Sequence, residues 1–226
     1  MCRRRLDEAQ ALVDWLVQGK FITLFAALFG IGFAIQMDRA AARQQGVGFY
    51  ARRMGGLLII GLVHAFGLWW GDILVSYAIC GFLLLPFRNL SQRALLRWAH
   101  GLYWFMLVLF AGVYTATLFG VEPPSPPAQN IQEAIAIYAR GTFAQIFALR
   151  VAEWREANAF VLFLTRILGI FLFGVYLWRQ GYLRQPGEHL AWWKRVQRIG
   201  LPLGLAGNLV VVMLGWAFDP NPIKPS

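Results

Sequence analysis

The chain has 226 residues, of which 58% are hydrophobic and 15% aromatic, and its mean hydropathy is +0.53. Only 14% of the residues are charged, against roughly 25% in a soluble domain, which excludes an ordinary soluble fold and points to a membrane. The net charge of +10 lies in short arginine clusters between apolar runs, which fits membrane flanks and not a nucleic-acid partner.

The opening "MCRRRLDEAQALVDW" is not a signal peptide, because Asp7, Glu8 and Asp14 stand where an apolar core belongs. Cys2 and Cys80 are the two cysteines, and their spacing suggests neither a disulfide framework nor a metal site. Cys80 reads as a small packing residue.

A spanning helix needs about 20 apolar residues. The first qualifying segment is 20–37, "KFITLFAALFGIGFAIQM", with Lys20 snorkelling to the interface. The run 54–87 is uncharged except for Asp72. As one helix it would be about 51 Å long, too long for a hydrocarbon core of about 30 Å. A break at Gly71-Asp72 gives spans 54–71 and 73–87. Three more spans follow at 98–120, 157–178 and 199–218. The expected fold class is therefore all-α: a polytopic helical membrane protein of about six transmembrane helices in a single membrane domain, 1–226. Strands are excluded, since the runs do not alternate as a barrel requires.

Loops 38–53, 88–97 and 179–198 hold twelve basic and two acidic residues, while the other side holds eight and nine. The positive-inside rule makes those three loops cytoplasmic. Both termini then face outward, and one further helix upstream would relieve the awkward outward "RRR". The short tail "FDPNPIKPS" also fits a chain that continues in a longer protein. Between the fourth and fifth spans, the outer loop 121–156 opens with the stiff "VEPPSPPAQN". Ile131, Ile135 and Tyr138 then recur at helical spacing, and Ile146, Phe147 and Trp154 roughly continue it. The loop reads as one or two amphipathic helices, lying on the outer membrane surface or packed as a cap on the bundle. Trp69, Trp70, Trp98 and Trp104 include interface anchors.

Four polar residues inside apolar runs are the candidate site. His64 lies mid-helix, and Asp72 lies eight residues on. A regular helix puts the two on one face about 12 Å apart, out of bonding reach. Gly61, on the same face, would let another helix approach closely. His64 fits a general base or an interhelical packing bond. Asp72 fits the N-cap of the third helix, a role compatible with orienting a polar group. Arg166 keeps its charge deep in its span, and so calls for a carboxylate, carbonyls or an anionic ligand. Asn208 is mid-span, as interhelical glue or the lining of a polar cavity. No motif of a soluble enzyme or metal site is present.

Three stretches together resemble the YeiB-like family of bacterial inner-membrane proteins: "KFITLFAALFGIGFAIQMDRA", "RRMGGLLIIGLVHAFGLWWGDILVSYAICGFLLLPFR" and "LGIFLFGVYLWRQGYL". The family is a domain of unknown function, grouped by distant similarity with transmembrane acyltransferases, some of which use an intramembrane histidine. Its members usually begin with a further helix bearing an Arg-Gly motif, which is absent here. The resemblance covers most of 15–218 and is weakest over 120–155. It implies a multi-pass protein of the bacterial inner membrane that acylates an envelope sugar or lipid. Cytoplasmic acyl-CoA would be the donor, with no permanently bound cofactor. His64 and Asp72 would be catalytic, and Arg166 and Asn208 substrate-binding. The alternatives are a transporter or flippase for a small anionic solute, or a non-catalytic accessory membrane subunit. Partners would be the lipid bilayer and the substrate, and no nucleic acid.

Overall fold

A computed structural model describes residues 13, 15–17, 19–69, 72–120, 131–156 and 160–217. Cys2, the acidic residues of the opening, Trp70, Gly71, the Pro-rich stretch 121–130 and the final tail lie outside the described residues. Those described are mainly helical, with no strand among them.

In chain order the helices are α1 (Lys20–Ala42), α2 (Gly48–Val63), α3 (Leu74–Leu84), α4 (Gln92–Leu118), α5 (Ile131–Arg140), α6 (Phe143–Glu156), α7 (Phe160–Arg179), α8 (Leu190–Arg195) and α9 (Leu201–Ala217). A π-helical turn, His64–Leu68, extends α2, and a 3₁₀ turn, Leu85–Asn89, extends α3. Among the described residues, a helix runs through each of the six expected segments. Four are long and apolar enough to cross a membrane: Lys20–Ala42, Gly48–Leu68, Gln92–Val113 and Leu162–Arg179. Leu74–Asn89 is a shorter apolar helix, and α9 has 17 residues. The break in the long run falls earlier than the expected Gly71-Asp72, for the helix ends at Leu68.

The contacts gather into two compact units, 26–180 and 1–25 with 181–226. In the larger unit, α2 and α3 form an antiparallel hairpin. Gly61 meets the backbone of Leu74 and Val75 at one end, and Gly81 meets Met54 and Tyr50 at the other. α7 is the central helix. Ile167, Phe171, Leu172 and Val175 are buried on it. Phe29, Tyr77 and Phe171 form an aromatic cluster with centroids 4.7–5.6 Å apart. α1 crosses α7 backbone to backbone. A methyl on Gly30 would lie 2.0 Å from the Phe171 carbonyl oxygen, and one on Gly174 would lie 2.3 Å from that of Ala27. Such close crossings substitute for the hydrophobic drive that lipid removes. Cys80 is fully buried, with Sγ 3.5 Å from the Leu164 carbonyl.

One end of this unit carries Arg39, Arg43, Arg52, Arg53, Arg88, Arg93, Arg97 and Arg179. There Arg179 donates to the carbonyls of Leu90, at 3.0 Å, and Arg88, closing the 3₁₀ turn. The Trp178 indole donates to Asp38 at 2.9 Å. Outward-facing apolar residues such as Ile59, Ile60, Val63, Trp98, Phe105 and Val108 remain exposed, as lipid contact requires.

In the smaller unit the Trp15 indole donates to the Leu205 carbonyl at 2.9 Å, and Asn208 and Lys20 donate to the Trp15 carbonyl. Tyr182 stacks on Trp192 at 4.2 Å, and the Trp193 indole donates to the Tyr182 carbonyl.

Candidate functional site

The helix that carries His64 is not regular. At His64 it widens into the π turn, and at Trp69 the backbone becomes extended, with φ −152° and ψ 125°. π turns of this kind are common at functional sites. The chain then enters α3 with Asp72 just before it. His64 Nδ1 and Asp72 Oδ1 are consequently 2.9 Å apart. The expected separation of about 12 Å assumed unbroken helix, and the break overturns it.

The Asp72 carboxylate is fixed from both sides. Oδ2 accepts the Val75 backbone N–H at 2.9 Å, so the expected capping role is present, exerted from two residues before Leu74. Oδ1 faces the imidazole, and the side chain is only 1% exposed. The 2.9 Å contact with His64 is an ion-pair separation whose direction is off the ring N–H axis, so neither atom has an aligned hydrogen bond. Catalytic hydrogen bonds are often poorly aligned without substrate and tighten when it binds. His64 is one-third exposed although Nδ1 is shielded. With Nδ1 turned to the carboxylate, Nε2 is the nitrogen left for a substrate.

Gly61 brings α3 to this place. Its missing side chain lets the Val75 amide nitrogen sit 2.8 Å from where a Cβ would be. The same amide holds Asp72, so helix packing and carboxylate position are one arrangement.

The end of the π turn is held from outside the hairpin. Arg150, on α6, donates from Nη1 to the Phe66 carbonyl at 2.9 Å and from Nη2 to the Leu68 carbonyl at 2.8 Å. Both carbonyls belong to the last turn before the backbone becomes extended at Trp69. Arg150 is only 9% exposed, and its guanidinium lies 5.8 Å over the Tyr138 ring. Phe147 meets Phe66 at 5.8 Å. α6 starts with a reciprocal capping box, since Thr142 N–H donates to Gln145 Oε1 and Gln145 N–H to Thr142 Oγ1. The Tyr138 hydroxyl donates to Glu153 at 2.8 Å and joins α5 to α6. Burial, and after it this bond, raises the Tyr138 phenol above its ordinary pKa. For α6, of the two expected arrangements, the cap on the bundle is the one present.

Of the other expected site residues, Arg166 is half-buried on α7. Asn208 belongs to the smaller unit, where its side-chain amide donates to the Trp15 carbonyl. Arg150 was missed by sequence reasoning. Its signal was present: it continues the Ile146, Phe147 and Trp154 face at helical spacing, so a cation stood on the packing face.

Helices of this length and composition define a polytopic helical membrane protein, here with a histidine–aspartate pair at a broken helix. The uncharacterised protein YxaH of Bacillus subtilis is 32% identical over 218 residues, covering 89% of this chain and 53% of that protein. The uncharacterised protein YeiB of Escherichia coli is 25% identical over 226 residues, covering 92% of this chain and 54% of that protein. An uncharacterised 39.9 kDa protein from the amylase 3' region of Bacillus acidopullulyticus is 32% identical over 111 residues, covering 49% of this chain and 30% of its own length. The chain is similar to YxaH and YeiB over about nine-tenths of its length. It spans about half the length of YxaH and YeiB. No family model and no solved structure matches it.

Proposed function

We propose that the protein is a membrane acyltransferase that esterifies a hydroxyl of an envelope sugar or lipid. The observation that carries this reading is the His64–Asp72 pair, 2.9 Å apart, with the carboxylate anchored by the Val75 amide. A carboxylate behind one ring nitrogen makes the other a competent base. His64 Nε2 takes the proton of the acceptor hydroxyl as its oxygen attacks the thioester carbonyl of acyl-CoA. The C–S bond breaks, and the proton passes to the leaving thiolate, giving ester and free CoA. Asp72 steadies the imidazolium. Arg166 supplies a permanent cation for an anionic group of the substrate. The arginine-rich end of the larger unit supports an orientation with that end in the cytoplasm of a bacterial inner membrane; His64 and Asp72 lie at the opposite end of α2, so in this reading the acyl-CoA thioester is carried across to them from the cytoplasmic face.

The interrupted helix favours a second reading. Broken helices at membrane depth also serve transporters, where freed backbone groups line a path. The same residues would then bind an anionic solute without chemistry.

The test deletes the locus in the native host and restores it with wild type or His64→Ala, matched for expression. Envelope lipids and glycans are compared by untargeted mass spectrometry. An acyl-sized mass lost on deletion and restored only by wild type is the expected result. Full restoration by His64→Ala would refute the mechanism.

A further inference from the structure

The π turn is tied from outside its own helix. It presents two backbone carbonyls, of Phe66 and Leu68, where the chain departs from the helix, and both are held by one buried guanidinium from a helix more than 80 residues later. The turn ends four residues after His64, and the orientation of that ring depends on its geometry.

We propose that Arg150 is the positioning residue of the His64–Asp72 pair. Its planar fork, a geometry lysine lacks, fixes the two carbonyls two residues apart, and thereby the widened turn that brings Nδ1 to the carboxylate. The stack on Tyr138 and the Tyr138–Glu153 bond steady the guanidinium in turn. The α5–α6 pair is then part of the site's machinery although it touches no reacting atom. This role rests on the acyl-transfer reading only for its consequence in activity. The geometry itself can be read separately.

The chain has three histidines. With His100 and His189 replaced by glutamine, every imidazole ¹⁵N signal in lipid nanodiscs belongs to His64. In spectra recorded at a pH where the ring is neutral, wild-type Arg150 should give one tautomer, with the proton on Nδ1 facing Asp72. Arg150→Gln should give a mixture of both tautomers, and Arg150→Lys an intermediate one. Phe147→Leu, which loosens α6 but keeps the fork, should leave the single tautomer. If Arg150→Gln does not fold, Arg150→Lys against Phe147→Leu decides. A single tautomer in the Arg150 variants, or equal mixing in Phe147→Leu, overturns the proposal. In the complementation assay, Arg150→Gln should lower the acyl product about tenfold or more. Mixed tautomers with no acyl product in any strain would uphold the positioning role and reject the acyl-transfer reading.

Discussion

Gly61→Ala tests whether helix packing and the His64–Asp72 pair are one arrangement. The added methyl would lie 2.8 Å from the Val75 nitrogen, 3.0 Å from Val75 Cγ2 and 3.1 Å from the Leu74 carbonyl carbon, where ordinary contact is 3.4–4 Å. The neighbours are mostly backbone and cannot rotate away, so α2 and α3 must part by at least about 0.6 Å. If that displacement falls on Val75, its bond to Asp72 lengthens from 2.9 Å to about 3.5 Å, beyond the useful range. Overpacking costs about 1–3 kcal/mol, and losing a bond to a charged group about 1.5–3 kcal/mol. A net loss of about 2–5 kcal/mol follows, since the strain is partly relieved by the same movement. The assay is reversible unfolding in mixed detergent–SDS micelles followed by circular dichroism. Gly56→Ala is the control, because a methyl there meets nothing within 4 Å; it should be neutral or stabilising by up to about 1 kcal/mol. Equal midpoints for Gly61→Ala and Gly56→Ala would refute the reasoning.

Asp72→Asn keeps a cap oxygen for Val75 but loses the charge behind His64. Its unfolding midpoint should move little, while acyl product in complemented cells falls about 10²-fold or more; equal losses of folding and product would contradict the separation. Gly30→Ala should destabilise more than Gly61→Ala, because its methyl would lie 2.0 Å from the Phe171 carbonyl oxygen, and the same micelle titration measures it. Tyr138 has a phenol raised above its ordinary value of 10.0, first by burial and then by Glu153. A raised folded-state value favours the protonated form, so its contribution is complete below pH 10.0 and is lost as pH rises through the shifted value. Protease resistance of the α5–α6 pair should fall on that alkaline limb, and Tyr138→Phe should remove this component.

The helices were legible because apolar runs of spanning length have few other uses in a chain this poor in charge. Gly61 and the cap at Asp72 were legible for local reasons, a missing side chain and a carboxylate at a break. The meeting of His64 with Asp72 was not. Periodicity assumes a regular helix, and nothing in "VHAFGLWWGD" announces a π turn. Arg150 was hidden for a different reason. Its partners are carbonyls, which carry no sequence identity, and they lie 82 and 84 residues away. Arg166 stood out because it interrupts a hydrophobic span, whereas Arg150 sat in a mixed stretch where arginine is ordinary.

The α2–α3 hairpin is tied at its bend by Arg150 and at its exit by Arg179, across 82 to 91 residues of chain. Both ties come from later in the sequence, so the hairpin leaves the ribosome before either exists. At a synthesis rate of about 5–20 residues per second the wait is roughly 4–18 s. Over that interval the bare carbonyls of its ends must be served by water or by the insertion machinery. The hairpin is thus delivered to the bilayer as an unfinished part, and the emergence of α6 and then α7 completes it.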